Sequence, residues 1–422
     1  MSRIVVLVIL FLFLFVGYMD KKRHMVLFNV VWIAVSFINW VCSTDIYTPS
    51  DFTFLCIGLF VLFTNVGFMV GKRVVISKQY TDIKSEYILK KRMFYWVNAI
   101  AILFFFVEYT IPAIKITREY GIMYTRLYAF NASEEFFGST LKLFFAQQIL
   151  YALFFSSMMI GILELFNSEN KRIWRCPAFM IGVGEMLLYS YTFKGRSPIF
   201  VTIFFVFVAY LLYYKWKKGE MISFSDMAFK RKVKIIVMVL VVVMAIMSIA
   251  RFDGLSQLRK FLIIYFGGQT SYLSELIKNC EISYVPFRTV FCGALDFIKL
   301  IINRLLGTNL LLGSNEIGKL IDGSTMIGPG INMNAGCTEI FYFYFEFGVL
   351  GIIAWSILSG VIMSSVYNTA LSKNNKYWDM LFLCVLYTIF YSYSGWTLKY
   401  LYFWVAPFIV RFFYKKYFME IE

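Results

Sequence analysis

Apolar residues run along this chain in long unbroken blocks, parted by short polar stretches rich in Lys and Arg. The blocks show no alternation with period two, which excludes a membrane barrel. About 20 apolar residues in helical conformation cross a hydrocarbon core of about 30 Å. The pattern predicts eleven such helices, at 4–19, 25–43, 52–71, 93–111, 141–166, 176–193, 198–214, 235–250, 340–366, 379–395 and 400–414. The expected fold is all-α, a single polytopic membrane domain over 1–422. The first block is followed, not preceded, by its positive charges ("DKKRH") and lacks a small-residue cleavage site, so it reads as a retained span.

Composition agrees with the pattern. The chain is 60% hydrophobic, 20% aromatic and 16% charged, against roughly 45–50% apolar and 25% charged in soluble domains. The net charge of +16 does not point to nucleic acid, because Lys and Arg flank apolar blocks instead of forming one basic face. They carry orientation instead. The loops 20–24, 72–92, 167–175, 215–234 and 367–378, with the tail from 411, hold 25 of the 41 Lys and Arg. That set is expected to be cytoplasmic, with the N-terminus outside and the C-terminus inside. Two external segments are long. Loop 112–140 is rich in Tyr and carries Lys115, Arg118 and Arg126. In loop 251–339, residues 286–306 place Phe287, Phe291, Ile298, Ile301, Ile302 and Leu305 on one helical side and Arg288, Asp296, Lys299 and Asn303 on the other. That arrangement predicts a helix lying in the membrane interface. Residues 307–338 are rich in Gly, Asn and Ser and read as irregular.

The chain contains one His, His24, on the expected cytoplasmic side, no P-loop and no metal-ligand spacing among its seven Cys. No cofactor or metal is expected. Cys280 and Cys292 would pair only if their loop faces an oxidising space. The external side offers fixed cations: Lys194 and Arg196 in the tight turn "TFKGRSPIF", then Arg251, Arg259, Lys260, Arg288 and Arg304. A guanidinium binds two phosphate oxygens at once and keeps its charge, so these residues suit a diphosphate at the membrane surface. Lipid headgroups are the alternative ligand of the same turn. Three carboxylates draw notice. Glu185 lies mid-span, where ionisable groups are costly; a structural pairing with Arg or Lys is the alternative there. Glu339 and Glu346 are seven apart on one helix face, Glu339 near the outer surface as a candidate base and Glu346 deeper, as a packing or pairing residue.

Three features together resemble a known family: the turn "YTFKGRSPIF", the long late external loop, and "NMNAGCTEIFYFYFEFGVLG" with an Asn, a Glu and the Phe347-Gly348-x-x-Gly351 element. This pattern is similar to the O-antigen polymerases, the oligosaccharide repeat unit polymerases of bacterial envelopes, over residues 180–400. The resemblance implies a GT-C-like fold in the bacterial inner membrane. It implies a metal-independent glycosyltransferase that moves a growing chain from undecaprenyl diphosphate onto a new lipid-linked repeat unit. For such a reaction the residues place the diphosphate on Lys194, Arg196, Arg251, Arg288 and Arg304, catalysis on Glu339 and Arg196, and sugar contacts on Asn334 and Tyr342; an Arg followed eleven residues on by Gly, described for some of the family's loops, does not occur at these external arginines. Membrane lipids and a chain-length regulator are the further partners the resemblance suggests. The related O-antigen ligases carry a His beside the Asn of the late motif; "GINMNAG" has none. A ligase, or a flippase for the same lipid-linked units, is the alternative.

Overall fold

The computed structural model describes residues 3–72, 74, 84–131, 138–167, 176–216, 238, 242, 266–321, 323, 325–333, 336–372 and 376–419. In chain order its helices are α1 (Arg3–Met19), α2 (Arg23–Val41), α3 (Asp51–Gly71), α4 (Lys91–Phe105), α5 (Ile111–Asn131), α6 (Thr140–Phe144), α7 (Tyr151–Asn167), α8 (Pro177–Phe193), α9 (Ser197–Trp216), α10 (Gln269–Lys278), α11 (Cys292–Leu306), α12 (Gly313–Ile321), α13 (Glu339–Ser372), α14 (Lys376–Tyr391) and α15 (Leu401–Phe413). Among the described residues, five helices are long and apolar enough to cross a membrane: Arg23–Thr44, Asp51–Gly71, Lys91–Ile122, Leu141–Leu165 and Glu339–Ser372. A multi-pass membrane protein requires such helices. Several other expected spans are shorter helices: α1 and α8 have 17 residues, α14 has 16 and α15 has 13. The block 235–250 lies outside the described residues except at 238 and 242, both helical.

The fold departs from the expected all-α reading by two small antiparallel sheets. Strand β1 (Lys84–Leu89) pairs with β4 (Tyr414–Met419), and β2 (Thr325–Gly328) with β3 (Ile331–Met333). Three loop expectations are corrected as well. Residues 112–131 are helical, not loop, because a π turn at Phe106–Thr110 carries α4 into α5. Pro112 has no amide to donate, and its ring needs room beside the preceding turn, which the wider π turn gives. The helix then bends at Gly121, whose φ of 84° only glycine adopts readily. The expected helix 286–306 starts six residues late, because the amides before Cys292 bond to a side chain instead, as described below. Residues 307–338 contain α12 and the β2–β3 hairpin. Helix α12 starts where Asp296 accepts from the amides of Gly313 (2.9 Å) and Ser314 (2.8 Å), and the hairpin turns at Gly330 (φ 68°).

The chain forms two compact units. The first comprises 1–78, 254–372 and 384–401. Its core joins α3 to α13 at a close crossing of Gly67, Gly71 and Gly360, where the Cα of Gly360 would lie 3.0 Å from a Cβ on Gly67. Asn29 and Asn65 exchange side-chain hydrogen bonds inside this core (2.9 and 3.1 Å), each also donating to a carbonyl one turn back. At one end Asp20 binds Lys22 and Lys72 (3.1 and 3.8 Å), and buried His24 packs its ring on Tyr367 and Phe68. Segment 47–50 bonds to α10 and β2 through Tyr47, Ser50, Ser271, Ser274 and Ile327. The second unit comprises 79–253, 373–383 and 402–422. In it Phe105, Tyr189, Phe193 and Phe154 form an aromatic core, and α7 packs on α8 with Gly182 against the backbone of Met158. Glu164 accepts from Lys376 (2.7 Å) and Tyr414 (2.9 Å), fastening the start of β4.

Candidate functional site

The turn between α8 and α9 is built for tightness. Lys194 takes the left-handed conformation (φ 52°, ψ 26°) that ends α8. The Ser190 hydroxyl donates to the Gly195 carbonyl, and Phe200 donates to Arg196 O (3.0 Å) to begin the next helix. Lys194 is buried, and its ammonium sits 3.8 Å from the centre of the Tyr191 ring. Burial pulls its pKa below the ordinary lysine value. Arg196 is half-buried. The ring of Tyr191 thus engages Lys194.

The first unit gathers a second polar group at the start of α13. Glu339 is 1% exposed, and neither carboxylate oxygen has a hydrogen-bond partner among the described residues. Its amide donates to Ser392 O (2.8 Å). One turn on, Tyr342 is fully buried and its hydroxyl accepts from Lys399 Nζ at 2.7 Å. The same ammonium lies 4.9 Å from the Tyr400 ring centre. The approach to α13 is fixed by Gly336 (φ 60°): a Cβ there would stand 2.5 Å from Ser394 O. Cys337, completely buried, has its thiol pushed up to about 12. An unpartnered buried carboxylate costs several kcal/mol, and such groups concentrate where function requires them.

Glu346 is the opposite case. Its two oxygens accept from the amides of Phe287 (3.1 Å), Thr289 (2.7 Å) and Val290 (2.8 Å), the Thr289 hydroxyl (3.1 Å) and the Trp355 indole (3.0 Å). These bonds replace the first turn that periodicity assigned to a helix at 286. Glu346 sits at a break in α13, where Phe347 and Gly348 leave helical geometry and Gly348 has φ 61°. Phe345 O, freed by the break, accepts from Ser283 N (2.8 Å). The Phe-Gly-x-x-Gly element is therefore a helix kink that seats a loop. Val290 O in turn accepts from the Trp396 indole, and Gly293 packs on the backbone of Leu398 and Lys399.

The structure sorts the remaining expected site residues. Arg288 pairs with Glu316 and donates to Ser283 (3.0 Å), so its charge is already met. Arg304 is exposed in the last turn of α11. Arg251, Arg259, Lys260 and Asn334 lie outside the described residues. Glu339, Tyr342, Arg288 and Arg304 belong to the first unit, Lys194 and Arg196 to the second. Cys280 and Cys292 form no disulfide. Glu185 is buried beside Ser157, whose hydroxyl goes to Asn98 (2.8 Å), and no described Lys or Arg pairs with it. Sequence reasoning missed Lys399. Its signal was present: it is the one basic residue between the last two apolar blocks. No family model, curated protein or solved structure matches the chain.

Proposed function

We propose that the chain is a membrane glycosyltransferase that polymerises undecaprenyl-diphosphate-linked oligosaccharide repeat units. The observation that carries this reading is the buried, unpartnered carboxylate of Glu339 one turn from the Tyr342–Lys399 pair, at the head of a membrane-length helix. A sugar hydroxyl that attacks an anomeric carbon must lose a proton, and Glu339 is the base for it. The leaving undecaprenyl diphosphate needs fixed positive charge. Arg196 and Arg251 are the residues proposed for it from the sequence. In the first unit Lys399 takes the place assigned to Arg288, whose charge Glu316 meets. Arg304 and Asn334 stay as outer phosphate and sugar contacts, and Tyr342 orients Lys399. This reading places eleven spans in a GT-C-like arrangement in the bacterial inner membrane, with the loop 251–339 and the N-terminus periplasmic and the C-terminus cytoplasmic. Membrane lipids and a chain-length regulator are its partners there.

The test is gel analysis of lipopolysaccharide from a deletion strain complemented with variants. Wild type restores a ladder. Glu339→Gln and Arg196→Ala leave lipid A–core with a single repeat unit while the protein still accumulates in the membrane. A full-length ladder from Glu339→Gln removes Glu339 as the base. The alternative reading, a flippase, draws on the two buried polar clusters inside apolar helices, Asn29–Asn65 and Asn98–Ser157–Glu185. It predicts no O-antigen at all in the deletion strain.

A further inference from the structure

Helix α11 and the segment after it are turned inside out relative to a water-facing hairpin. Asp296, Lys299 and Asn303 point back into the chain. Asp296 caps α12 through the amides of Gly313 and Ser314, and Lys299 donates to Leu311 O (3.0 Å). Asn303 donates to Leu310 O (3.0 Å) and accepts from Leu310 N and the Thr308 hydroxyl (both 2.8 Å). These bonds fold 307–314 back along α11. The outward side is apolar: Leu305 is 77% exposed, Leu306 72% and Leu311 68%, with Ile298, Ile301 and Leu310 beside them. In water the two sides would be exchanged. An independent observation concerns the base of this hairpin. Phe287 and Phe291 lie with ring centres 5.4 and 5.5 Å from Trp355, which is sixteen residues inside the membrane-length helix α13. Glu346 of the same helix clamps the turn that leads into α11. Helix α13 itself exposes Leu350, Leu358 and Ile362. The hairpin therefore springs from the side of a span, and Arg304 is exposed near its tip, where a phosphate headgroup would meet it.

We infer that residues 292–312 form a hairpin whose apolar side, contributed by both arms, enters the acyl-chain boundary of one bilayer leaflet while Arg304 stays at the headgroups. Its occupant is lipid, not a second copy of the chain or a soluble protein. The inference is independent of the proposed reaction, since a transporter would hold such a hairpin equally well. It goes beyond a helix resting on the membrane surface, because Leu310 and Leu311 of the returning arm are buried in lipid too.

The experiment uses the full chain reconstituted in vesicles of phosphatidylethanolamine and phosphatidylglycerol. Photoreactive benzoyl-phenylalanine is introduced in place of Leu305, of Leu311 and, as an exposed polar control, of Asn332. After irradiation, mass spectrometry is expected to find phospholipid adducts at 305 and 311 and none at 332. Adducts joining two chains at 305 and 311 would overturn the inference in favour of a dimer face. An absence of adducts at 305 and 311 would overturn it in favour of water. The double variant Leu305→Glu/Leu311→Glu gives a second reading: the protein accumulates with the first unit intact, but the hairpin becomes open to protease in vesicles.

Discussion

At the scale of single residues, two glutamates seven positions apart have opposite surroundings. Glu346 has five donors on its two oxygens, and Glu339 has none among the described residues. Their spacing on one helix face was legible in the sequence; their difference was not, because it depends on a loop 56 to 59 residues away in the chain. Glu346→Ala strands three amides and an indole, while the Thr289 hydroxyl keeps Tyr342 O, and is expected to cost about 3–5 kcal/mol. Glu346→Gln keeps one good acceptor and should lose less. Melting curves in detergent decide this, and equal loss from both would remove the clamp as the cause. Among the thiols, burial pushes Cys280 up to about 11 and Cys292 and Cys337 up to about 12, from an ordinary value of 9.0. These groups hold their protons in the folded chain where the unfolded chain has lost them. Their contribution to stability is therefore complete below pH 9 and is lost as pH rises through about 11–12. Iodoacetamide labelling of Cys280, the most accessible of the three, should rise about tenfold per pH unit from 7 to 10. A flat profile would show a thiolate already present at pH 7.

At the scale of elements, the apolar blocks located most helices within a few residues, because twenty apolar residues have few alternatives to a helix in a bilayer. What the blocks could not show is where polar loops fold. Helix α12 depends on Asp296, and the late start of α11 depends on Glu346; both are contacts distant in sequence. Close packing was equally hidden. Gly67 and Gly360 look like ordinary glycines in apolar blocks, yet each stands where a Cβ would meet a backbone carbonyl, of Ile357 and Thr64 respectively. Gly360→Ala is expected to destabilise by about 1–3 kcal/mol through overpacking. Gly184→Ala, with nothing within 4 Å, serves as the neutral comparison. Similar melting temperatures for the two variants would argue against the tight crossing.

At the scale of the whole molecule, contacts join segments far apart in the chain. Strands β1 and β4 pair residue for residue, Lys84 with Met419 through Leu89 with Tyr414. Segments 47–50, 269–278 and 325–328 are likewise joined. The division into two units was not legible, because each is assembled from three separate stretches of chain. That interleaving also has a schedule. Strand β1 leaves the ribosome about 325 residues before β4 begins, which at 5–20 residues per second is roughly 15–65 s. Throughout that interval it has an open edge of the kind that recruits strands from other chains. Strand β4 thus acts as a seal applied late in synthesis. A chain stopped after Phe413 should insert normally and then be degraded or aggregate, as pulse-chase labelling would show; a half-life equal to that of the full chain would mean that β1 is protected by something else while it waits.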